Sequence, residues 1–256
     1  MSSVWRVADV VGTRMETPTA RTLRLRIPGL HGHLAGQHVD IRLTAPDGYQ
    51  AVRSYSIASG GGRGALEPHG LAEDELELTV EELADGEVSP YLVRGLQIGD
   101  QLELRGPVGG WFVWHDGDAG PVQLIAGGSG IVPLMSMARA HAASGSSAPF
   151  RMLYSLRSPF SGYYTDELHT LAAEAEAPLQ LDYVYTRQAP PGTSTPAGRL
   201  TAEGLMRRVL PASDAPTFFV CGSTPFVEAV AGWLVDAGHD AARIRTERYG
   251  GIGGTP

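Results

Sequence analysis

The glycine-rich run Leu124-Ile-Ala-Gly-Gly-Ser-Gly-Ile-Val-Pro-Leu134 carries the strongest local chemical signal in the chain. Its glycines let a backbone approach a diphosphate closely, and the helix predicted to follow offers free N–H groups and the positive end of its dipole. The run departs from the GxGxxG fingerprint because Pro133 occupies the third glycine position. It also lacks the GxSxG pattern of a nucleophile elbow, since Ile131 stands two residues after Ser129. The run predicts a dinucleotide-phosphate loop, with a glycine-rich connection that binds nothing as the alternative.

The segment Arg53-Ser-Tyr-Ser56 is the second chemical signal. Strand alternation places Arg53 and Tyr55 on one face, with the two serines on the other. An arginine beside an aromatic ring can bind a phosphate and stack on a flat ring system. The alternative is an ordinary strand with an arginine at the surface.

The rarer residue types exclude several classes of protein. Cys221 is the sole cysteine, whereas a cysteine-ligated zinc ion or a plant-type [2Fe–2S] cluster needs several thiolates. All 20 basic residues are arginine, so a Walker-type loop and a Schiff-base lysine are excluded. The net charge of −8 argues against a nucleic-acid partner. The eight histidines are scattered, and we interpret His31 and His33 as loop residues without a metal.

The elements that must position these residues differ between the two halves of the chain. Residues 4–114 contain short apolar or alternating runs broken by turn residues, which predicts an antiparallel barrel or sandwich with a short helix at 90–94. Beyond residue 117, apolar runs alternate with helical segments, which predicts a parallel sheet with helices on both faces. The turn-rich segment 114–121 separates them, giving predicted domains 1–116 and 117–256. The predicted strands are 22–27, 38–43, 54–58, 75–81, 101–104, 122–126, 150–156, 179–186 and 217–221, and the predicted longer helices are 133–143, 165–176 and 225–237.

The apolar runs and the N-terminal residues bear on location. The longest apolar runs fall short of the ~20 residues that a membrane-spanning helix needs. Residues 1–10 include Arg6 and Asp9 and lack the apolar core of an export signal. From these patterns we expect a cytoplasmic protein with no membrane partner.

Five short motifs follow one another along the chain: Arg53-Ser-Tyr-Ser56, Gly86-Glu-Val-Ser-Pro-Tyr-Leu92, Gly106-Pro-Val-Gly109, Gly127-Gly-Ser-Gly-Ile-Val-Pro133 and Cys221-Gly222. In this order and spacing the chain resembles the ferredoxin–NADP reductase superfamily over nearly its whole length. The resemblance implies a six-stranded flavin-binding barrel followed by a nucleotide-binding α/β domain, with no fused iron–sulfur domain. It also implies hydride transfer from NAD(P)H to a flavin and passage of electrons to an acceptor.

The resemblance assigns cofactor-binding roles to barrel residues, namely Arg53, Ser54, Tyr55, Ser56, Val88 and Ser89. Arg53 would meet the flavin phosphate, and Tyr55 would pack on the isoalloxazine ring. Ser56 would form a hydrogen bond near flavin N5. Val88 and Ser89 would bind the diphosphate through backbone N–H groups and a hydroxyl.

In the second half, the resemblance assigns the dinucleotide cradle to Gly127, Gly128, Gly130 and Pro133. Cys221 and Gly222 would lie beside the nicotinamide ring. The segment Glu247-Arg-Tyr249 would close over the flavin, although the glycine-rich tail at 250–256 differs from reductases that end on the aromatic residue. Ser56, Cys221 and Glu247 are the expected catalytic residues.

Arginines at two predicted strand ends bear on the choice of nicotinamide cofactor. An acidic residue suits the ribose of NAD, whereas arginine suits the 2′-phosphate of NADP. Arg157 follows the second strand of this half, and Thr186-Arg187 resembles the pair that NADP-selective relatives place on that phosphate. These residues favour NADPH, with NADH as the alternative. The competing interpretation is that both arginines lie in solvent or pair with Asp166 and Glu167.

The resemblance and the cysteine count also bear on the identity of the flavin and of the electron acceptor. The resemblance favours FAD over FMN, and the loop at 60–70 is a candidate for holding an adenine. Because one cysteine cannot hold an iron–sulfur cluster, a ferredoxin-like protein or an oxygenase component would be a separate polypeptide. The alternatives are a flavin reductase that acts directly on a small molecule, and a cofactor-binding subunit without turnover, which the presence of all three expected catalytic residues disfavours.

A contrast in charge suggests where an acidic acceptor protein would dock. Residues 1–63 hold eight arginines and four acidic residues, whereas residues 64–93 hold nine acidic residues and no arginine. Arg24 and Arg26 share a strand face, with Arg21 on the other. We therefore expect Arg24 and Arg26 to form a positive docking face, with simple solvation of the barrel surface as the alternative.

Overall fold

A computed structural model describes residues 4–61, 70–118, 120–174, 178–193 and 196–249. These residues form two compact units. The first contains the chain up to Asp116 together with Met135–Ser144, and the second contains Gly117–Leu134 and the chain from Gly145 onward. The domain predicted at 117–256 includes Met135–Ser144, so the observed division differs from the predicted one at this helical segment.

The first unit is built on an antiparallel sheet of six strands, which confirms the predicted all-β domain. Along the sheet the order is β4-β3-β6-β1-β2-β5, and a bridge between Ile57 and Leu78 joins the end of β4 to β5. The sheet thereby closes into a barrel around alternating apolar side chains such as Leu23, Leu25 and Ile41. Its strands are β1 (Arg6–Thr17), β2 (Ala20–Arg26), β3 (His38–Thr44), β4 (Gln50–Ser56), β5 (Glu75–Glu81) and β6 (Gln101–Val108), and a short helix covers Tyr91–Gly95.

The second unit is a five-stranded parallel sheet with helices, as the sequence predicts. Its strands are β7 (Val122–Gly127), β8 (Phe150–Leu156), β9 (Gln180–Tyr185), β10 (Thr217–Ser223) and β11 (Ile244–Tyr249). The helices of this part of the chain are α1 (Ile131–Ser144), α2 (Thr165–Ala172), α3 (Ala202–Met206) and α4 (Thr224–Asp236), and Met135–Ser144 of α1 belongs to the first unit. The strand order is β11-β10-β7-β8-β9. The chain therefore reverses direction across the sheet between β7 and β10, and ligands of such sheets bind at the carboxyl ends of the strands beside that point.

Several elements differ from their predicted bounds. β4 begins at Gln50 rather than at residue 54 because it pairs with β3 along its whole length. β11 has the polar sequence Ile-Arg-Thr-Glu-Arg-Tyr and was not predicted, since it forms through its parallel pairing with β10. The short helix α3 was likewise missed, and α2 ends at Ala172 rather than at residue 176. In the part of the chain that is described, no helix is long and apolar enough to cross a membrane.

A buried polar network explains why Met135–Ser144 belongs to the first unit. The Arg139 guanidinium, in α1, donates hydrogen bonds to the Ala58 carbonyl at 2.9 Å and to the Glu77 carboxylate at 3.0 Å. Both charged side chains are almost fully buried. The Ser136 hydroxyl donates to the Ser59 carbonyl at 2.5 Å. Each polar group is thus satisfied inside the unit, as buried charges require.

Candidate functional site

The strand β4 presents Arg53 at the surface of the barrel. About half of the Arg53 side chain is exposed, and its Nη2 atom donates a hydrogen bond to Glu87 Oε2 at 2.7 Å. The Tyr49 hydroxyl donates to the other oxygen of the same carboxylate at 3.1 Å, and this bond raises the pKa of Tyr49. The Arg53 Nη1 atom donates to the Val52 carbonyl at 2.8 Å. Arg53 therefore lies where an external anion can reach it, with Glu87 as its charged partner within the protein. No sequence pattern indicates Glu87.

The residues that follow Arg53 have different surroundings. Tyr55 packs against the barrel core, and burial raises its pKa to about 12. The Ser54 hydroxyl donates to Asp40 at 2.6 Å, and Arg105 donates to the same carboxylate at 2.6 Å. Burial alone would raise the pKa of Asp40, but these two hydrogen bonds lower it overall. Ser54 is therefore already bonded within the barrel, whereas Ser56 is half-buried at the end of the strand.

The turn that contains Val88 and Ser89 is tightly packed. Both residues are buried, and the Ser89 Oγ atom accepts a hydrogen bond from the Leu83 backbone N–H at 3.0 Å. A Cβ atom on Gly86 would lie 2.8 Å from Ser89 Oγ, so this close approach requires glycine. The Ser89 hydroxyl proton is not used in that bond and can be donated to a ligand.

In the second unit, the turn after β7 lies against the carboxyl end of β10. A Cβ atom on Gly130 would lie 2.3 Å from the Cys221 carbonyl oxygen. Gly128 has a φ of +56°, and the Tyr249 hydroxyl donates to the Gly127 carbonyl at 2.5 Å. The glycines thus bring the ends of three neighbouring strands together. Tyr249 is 37% exposed.

Phe226, in the first turn of α4, fills the space beside this glycine turn. A Cβ atom on Gly127 would lie 2.8 Å from its ring, and one on Gly222 would lie 2.7 Å from it. Packing inside the protein therefore already requires glycine at both positions. No sequence pattern indicates this role of Phe226, because an aromatic residue early in a helix does not show which residues it packs against.

Cys221 and Glu247 are brought together by strand pairing. They are register partners in β10 and β11, so their side chains project on the same face of the sheet. Burial raises the pKa of the Cys221 thiol well above its ordinary value, and the Glu247 charge raises it further. Burial also raises the pKa of Glu247 to about 7. Among the described residues, the buried Glu247 Oε2 atom has no hydrogen-bond partner, which is typical of a site that receives a polar group from a ligand.

The two arginines predicted to select the nicotinamide cofactor are neighbours. The Arg187 backbone N–H donates to the Arg157 carbonyl at 3.0 Å, just beyond the paired ends of β8 and β9. Both side chains are exposed. Within the described ranges neither guanidinium forms an ion pair, with Asp166, Glu167 or any other residue. Thr186 donates its backbone N–H to the Leu156 carbonyl at 2.8 Å, which holds this segment against β8.

A cavity of about 480 Å³ lies along β9 and was not predicted. Its lining includes Tyr183, Tyr185 and Arg199. The two tyrosine rings are stacked, with their centroids 5.7 Å apart. The Tyr183 hydroxyl is buried and has no hydrogen-bond partner among the described residues. Aromatic faces beside an arginine suit a flat ring that carries an anionic group.

The two arginines of the expected docking face share one carboxylate partner. Arg24 and Arg26 bind the buried Glu75 carboxylate at 2.7 and 2.8 Å, and Arg26 is its register partner across β2 and β5. Burial opposes ionisation of Glu75, but hydrogen bonds from the Ala72 N–H and both arginines lower its pKa. Arg21 donates to the carbonyls of the short helix region. The Glu75 carboxylate thus pairs with both arginines and leaves one net positive charge, so the docking face at Arg24 and Arg26 stays a prediction.

Two further expectations fall wholly or mostly outside the described residues. They are the adenine-holding loop at 60–70, of which 62–69 is not described, and the tail at 250–256. Within the described parts of the chain, no group of three or more His, Cys, Asp or Glu side chains is arranged to hold a metal ion.

Both halves of the chain match known protein families. Residues 9–113 match the oxidoreductase FAD-binding domain, and residues 124–232 match the oxidoreductase NAD-binding domain. A flavohemoprotein of Rhodopirellula baltica is 30% identical over 220 residues, which cover 84% of this chain and 52% of the relative. A glycine betaine monooxygenase reductase subunit of Chromohalobacter salexigens is 30% identical over 216 residues, covering 84% and 55%. The chain thus spans about half the length of these curated relatives.

Solved structures share the fold. The flavohem-like FAD/NAD-binding domain of a nitric oxide dioxygenase from Vibrio cholerae superimposes with a TM-score of 0.81 at 24% identity, over 96% of this chain and 99% of that one. A ferredoxin NADP+ reductase from Neisseria gonorrhoeae, solved with bound FAD and NADP, gives a TM-score of 0.78 at 21% identity, over 96% and 99%.

Proposed function

Because the chain belongs to the ferredoxin–NADP reductase superfamily, with an FAD-binding domain followed by an NAD-binding domain, we propose that it oxidises NADPH and reduces a separate one-electron acceptor through FAD. The observation that carries this proposal is the buried pair of Cys221 and Glu247 next to the glycine turn, at the point where the sheet reverses direction. A bound flavin supplies the redox chemistry, since it accepts a hydride and releases electrons singly. The protein contributes binding, orientation and control of protons.

The barrel residues bind and orient the flavin. Arg53 is exposed and forms charge-assisted hydrogen bonds to the flavin phosphate. The Val88 backbone and the Ser89 hydroxyl would bind the diphosphate, and Tyr55 would pack on the isoalloxazine ring. Ser56, half-buried at the end of β4, donates its hydroxyl near N5. Ser54 supports the strand through its hydrogen bond to Asp40.

The residues of the second unit bind the nicotinamide nucleotide and manage protons. The turn at Gly127–Gly130 and the start of α1, where Pro133 lies in the first turn, hold the diphosphate on free backbone N–H groups. Cys221 and Gly222 border the nicotinamide ring. Glu247, with a pKa of about 7, holds a proton near neutral pH and offers its unpartnered oxygen to a polar ligand atom. Tyr249, whose hydroxyl donates to the Gly127 carbonyl, would contact the flavin.

The 2′-phosphate of NADPH is bound by Arg157, Thr186 and Arg187. The two guanidinium groups follow neighbouring strand ends and have no carboxylate partner among the described residues, so their charge is available to a phosphate. The cavity along β9, with stacked Tyr183 and Tyr185, takes the adenine end of the nucleotide.

The acceptor is a separate protein, either a ferredoxin-like protein or an oxygenase component, and the reductase acts in the cytoplasm. This proposal is supported by the relatives, several of which are named as reductase components of oxygenase systems, including those for propane 2-monooxygenase and naphthalene 1,2-dioxygenase. The single cysteine of this chain cannot supply a cluster of its own.

The first experiment measures flavin binding and turnover. Purified protein should contain one flavin, identified as FAD by mass, and NADPH should bleach its yellow colour. Arg53→Ala should lose the flavin, because the phosphate loses its charged partner. Arg94→Ala is the matched control, since Arg94 is an exposed arginine that pairs with Glu82. Full flavin occupancy in Arg53→Ala would show that the assignment of the phosphate site is wrong.

The second experiment tests the nicotinamide preference. Replacing Arg157 and Arg187 by alanine should weaken NADPH binding by a few kcal/mol at most, since each charged hydrogen bond contributes about 1.5–3 kcal/mol. NADH kinetics should hardly change. Arg243→Ala is the control, because that exposed arginine precedes β11, at the opposite end of the sheet from the strand ends proposed to bind the nucleotide. A wild-type protein that uses NADH as well as NADPH would refute the preference directly.

The third experiment identifies the acceptor class. NADPH-dependent reduction is measured with a panel of ferredoxins and oxygenase components and with a small artificial dye. Fast reduction of one protein acceptor supports the proposal. Reduction of the dye and of free flavin, with no protein acceptor reduced above background, would instead assign a flavin reductase that acts on small molecules.

A further inference from the structure

Glu87 lies within the group of residues that binds the flavin phosphates in the proposed function. It directly precedes Val88 and Ser89 in the chain, and its carboxylate binds Arg53 at 2.7 Å and the Tyr49 hydroxyl at 3.1 Å. About half of each side chain of the ion pair is exposed, at 51% for Arg53 and 50% for Glu87. A carboxylate thus holds the arginine that is proposed to bind an anion.

The Glu87 carboxylate and a flavin phosphate would bind the same guanidinium group, that of Arg53. Arginine binds carboxylates and phosphates through the same rigid fork of N–H donors. The Nη2 donor that binds Glu87 is therefore withdrawn from the phosphate, and the negative Glu87 repels a diphosphate bound to the adjacent backbone. Because the ion pair is exposed, it is weak enough for a ligand to replace.

We propose that Glu87 is a competitor of the flavin phosphate for Arg53, built into the diphosphate-binding turn, and that it sets how tightly the protein holds its flavin. This inference rests on the proposed function in one respect, the binding of the flavin phosphate by Arg53. Flavin binding exchanges the carboxylate partner of Arg53 for a phosphate partner. The carboxylate therefore weakens the binding of flavins that carry phosphate, and it leaves riboflavin, which has none, unaffected.

The test is a titration of flavin-free protein with FAD, FMN and riboflavin, followed by quenching of flavin fluorescence. Glu87→Gln keeps the size of the side chain and removes its charge. It should lower the Kd for FAD and FMN by about three- to tenfold, because an exposed ion pair and the repulsion of a nearby carboxylate each contribute a factor of a few. The Kd for riboflavin should stay unchanged, and the gain should shrink as salt rises.

Glu82→Gln is the matched control. Glu82 also pairs with an exposed arginine, Arg94, at 2.7 Å, and the change alters net charge equally. It should leave all three Kd values as in the wild type. Combining Glu87→Gln with Arg53→Ala should reduce the gain from Glu87→Gln to the part that comes from repulsion of the diphosphate, because no arginine is left to compete for.

The outcomes separate this inference from the proposed function. If Arg53→Ala binds FAD as tightly as the wild type, the proposed phosphate site itself is wrong. If Arg53→Ala weakens FAD binding but Glu87→Gln matches Glu82→Gln, or changes riboflavin binding equally, competition by Glu87 is refuted. Weaker FAD binding in Glu87→Gln also refutes it, and would show that the carboxylate positions Arg53 for the phosphate.

Discussion

Replacing Glu247 by glutamine tests whether burial controls the protonation of this carboxyl. Burial raises its pKa from 4.5 to about 7. A carboxyl whose pKa is higher in the folded state stabilises that state fully below pH ~4.5, and this contribution disappears as the pH rises through about 7. Each pKa unit corresponds to about 1.4 kcal/mol, so the wild type should lose about 3 kcal/mol of unfolding free energy over this range from Glu247 alone.

The measurement is urea unfolding of the wild type and of Glu247→Gln at pH 5, 6, 7 and 8. The glutamine does not titrate, so the unfolding free energy of the variant minus that of the wild type should rise by about 2.5 kcal/mol between pH 5 and pH 8. The slope of the unfolding free energy against urea concentration should be equal for both proteins, since the surface exposed on unfolding is the same.

Glu228→Gln provides the control. Glu228 is an exposed carboxylate, 62% accessible, that pairs with Arg248 on β11. Its substitution should give a difference in unfolding free energy that hardly varies with pH, because exposed ion pairs contribute little. If the difference between Glu247→Gln and the wild type is constant from pH 5 to 8, the Glu247 carboxyl titrates normally and the argument from burial is wrong.

Changes at the glycine turn, at the thiol and in the buried ion pair test other parts of the structure. Gly130→Ala should lower the unfolding free energy by at least about 2 kcal/mol, because its Cβ would lie 2.3 Å from the Cys221 carbonyl oxygen. An unchanged melting temperature would contradict this packing. Cys221→Ala should slow flavin reduction by NADPH in stopped flow while the flavin stays bound, and a wild-type rate would leave the thiol a packing role alone. Arg139→Met should cost about 3–5 kcal/mol in urea unfolding, because it leaves Glu77 buried without its charged partner; a loss below 1 kcal/mol would refute this.

The sequence by itself determined the architecture and the glycine-rich turn after β7, because these depend on patterns between near neighbours. The apolar runs at Glu75–Glu81 and Phe150–Leu156 predicted β5 and β8 with their observed bounds. Along the sequence, the change from short strand patterns to alternating strand and helix patterns predicted where the barrel ends and the parallel sheet begins. The glycines after β7 predicted the turn at Gly128–Gly130, since glycine and proline act on the local backbone.

Only the tertiary structure decided which distant residues meet, and therefore how the site is charged. Cys221 and Glu247 become neighbours through strand pairing, and the burial that shifts their pKa values comes from residues all along the chain. Glu87, in the turn that follows β5, pairs with Arg53 on β4, and no local pattern indicates that contact. Arg24 and Arg26 share the Glu75 carboxylate of the adjacent strand, which the sequence does not indicate either. The charge and protonation of a group depend on what surrounds it in space, and the order of residues along the chain does not specify those surroundings.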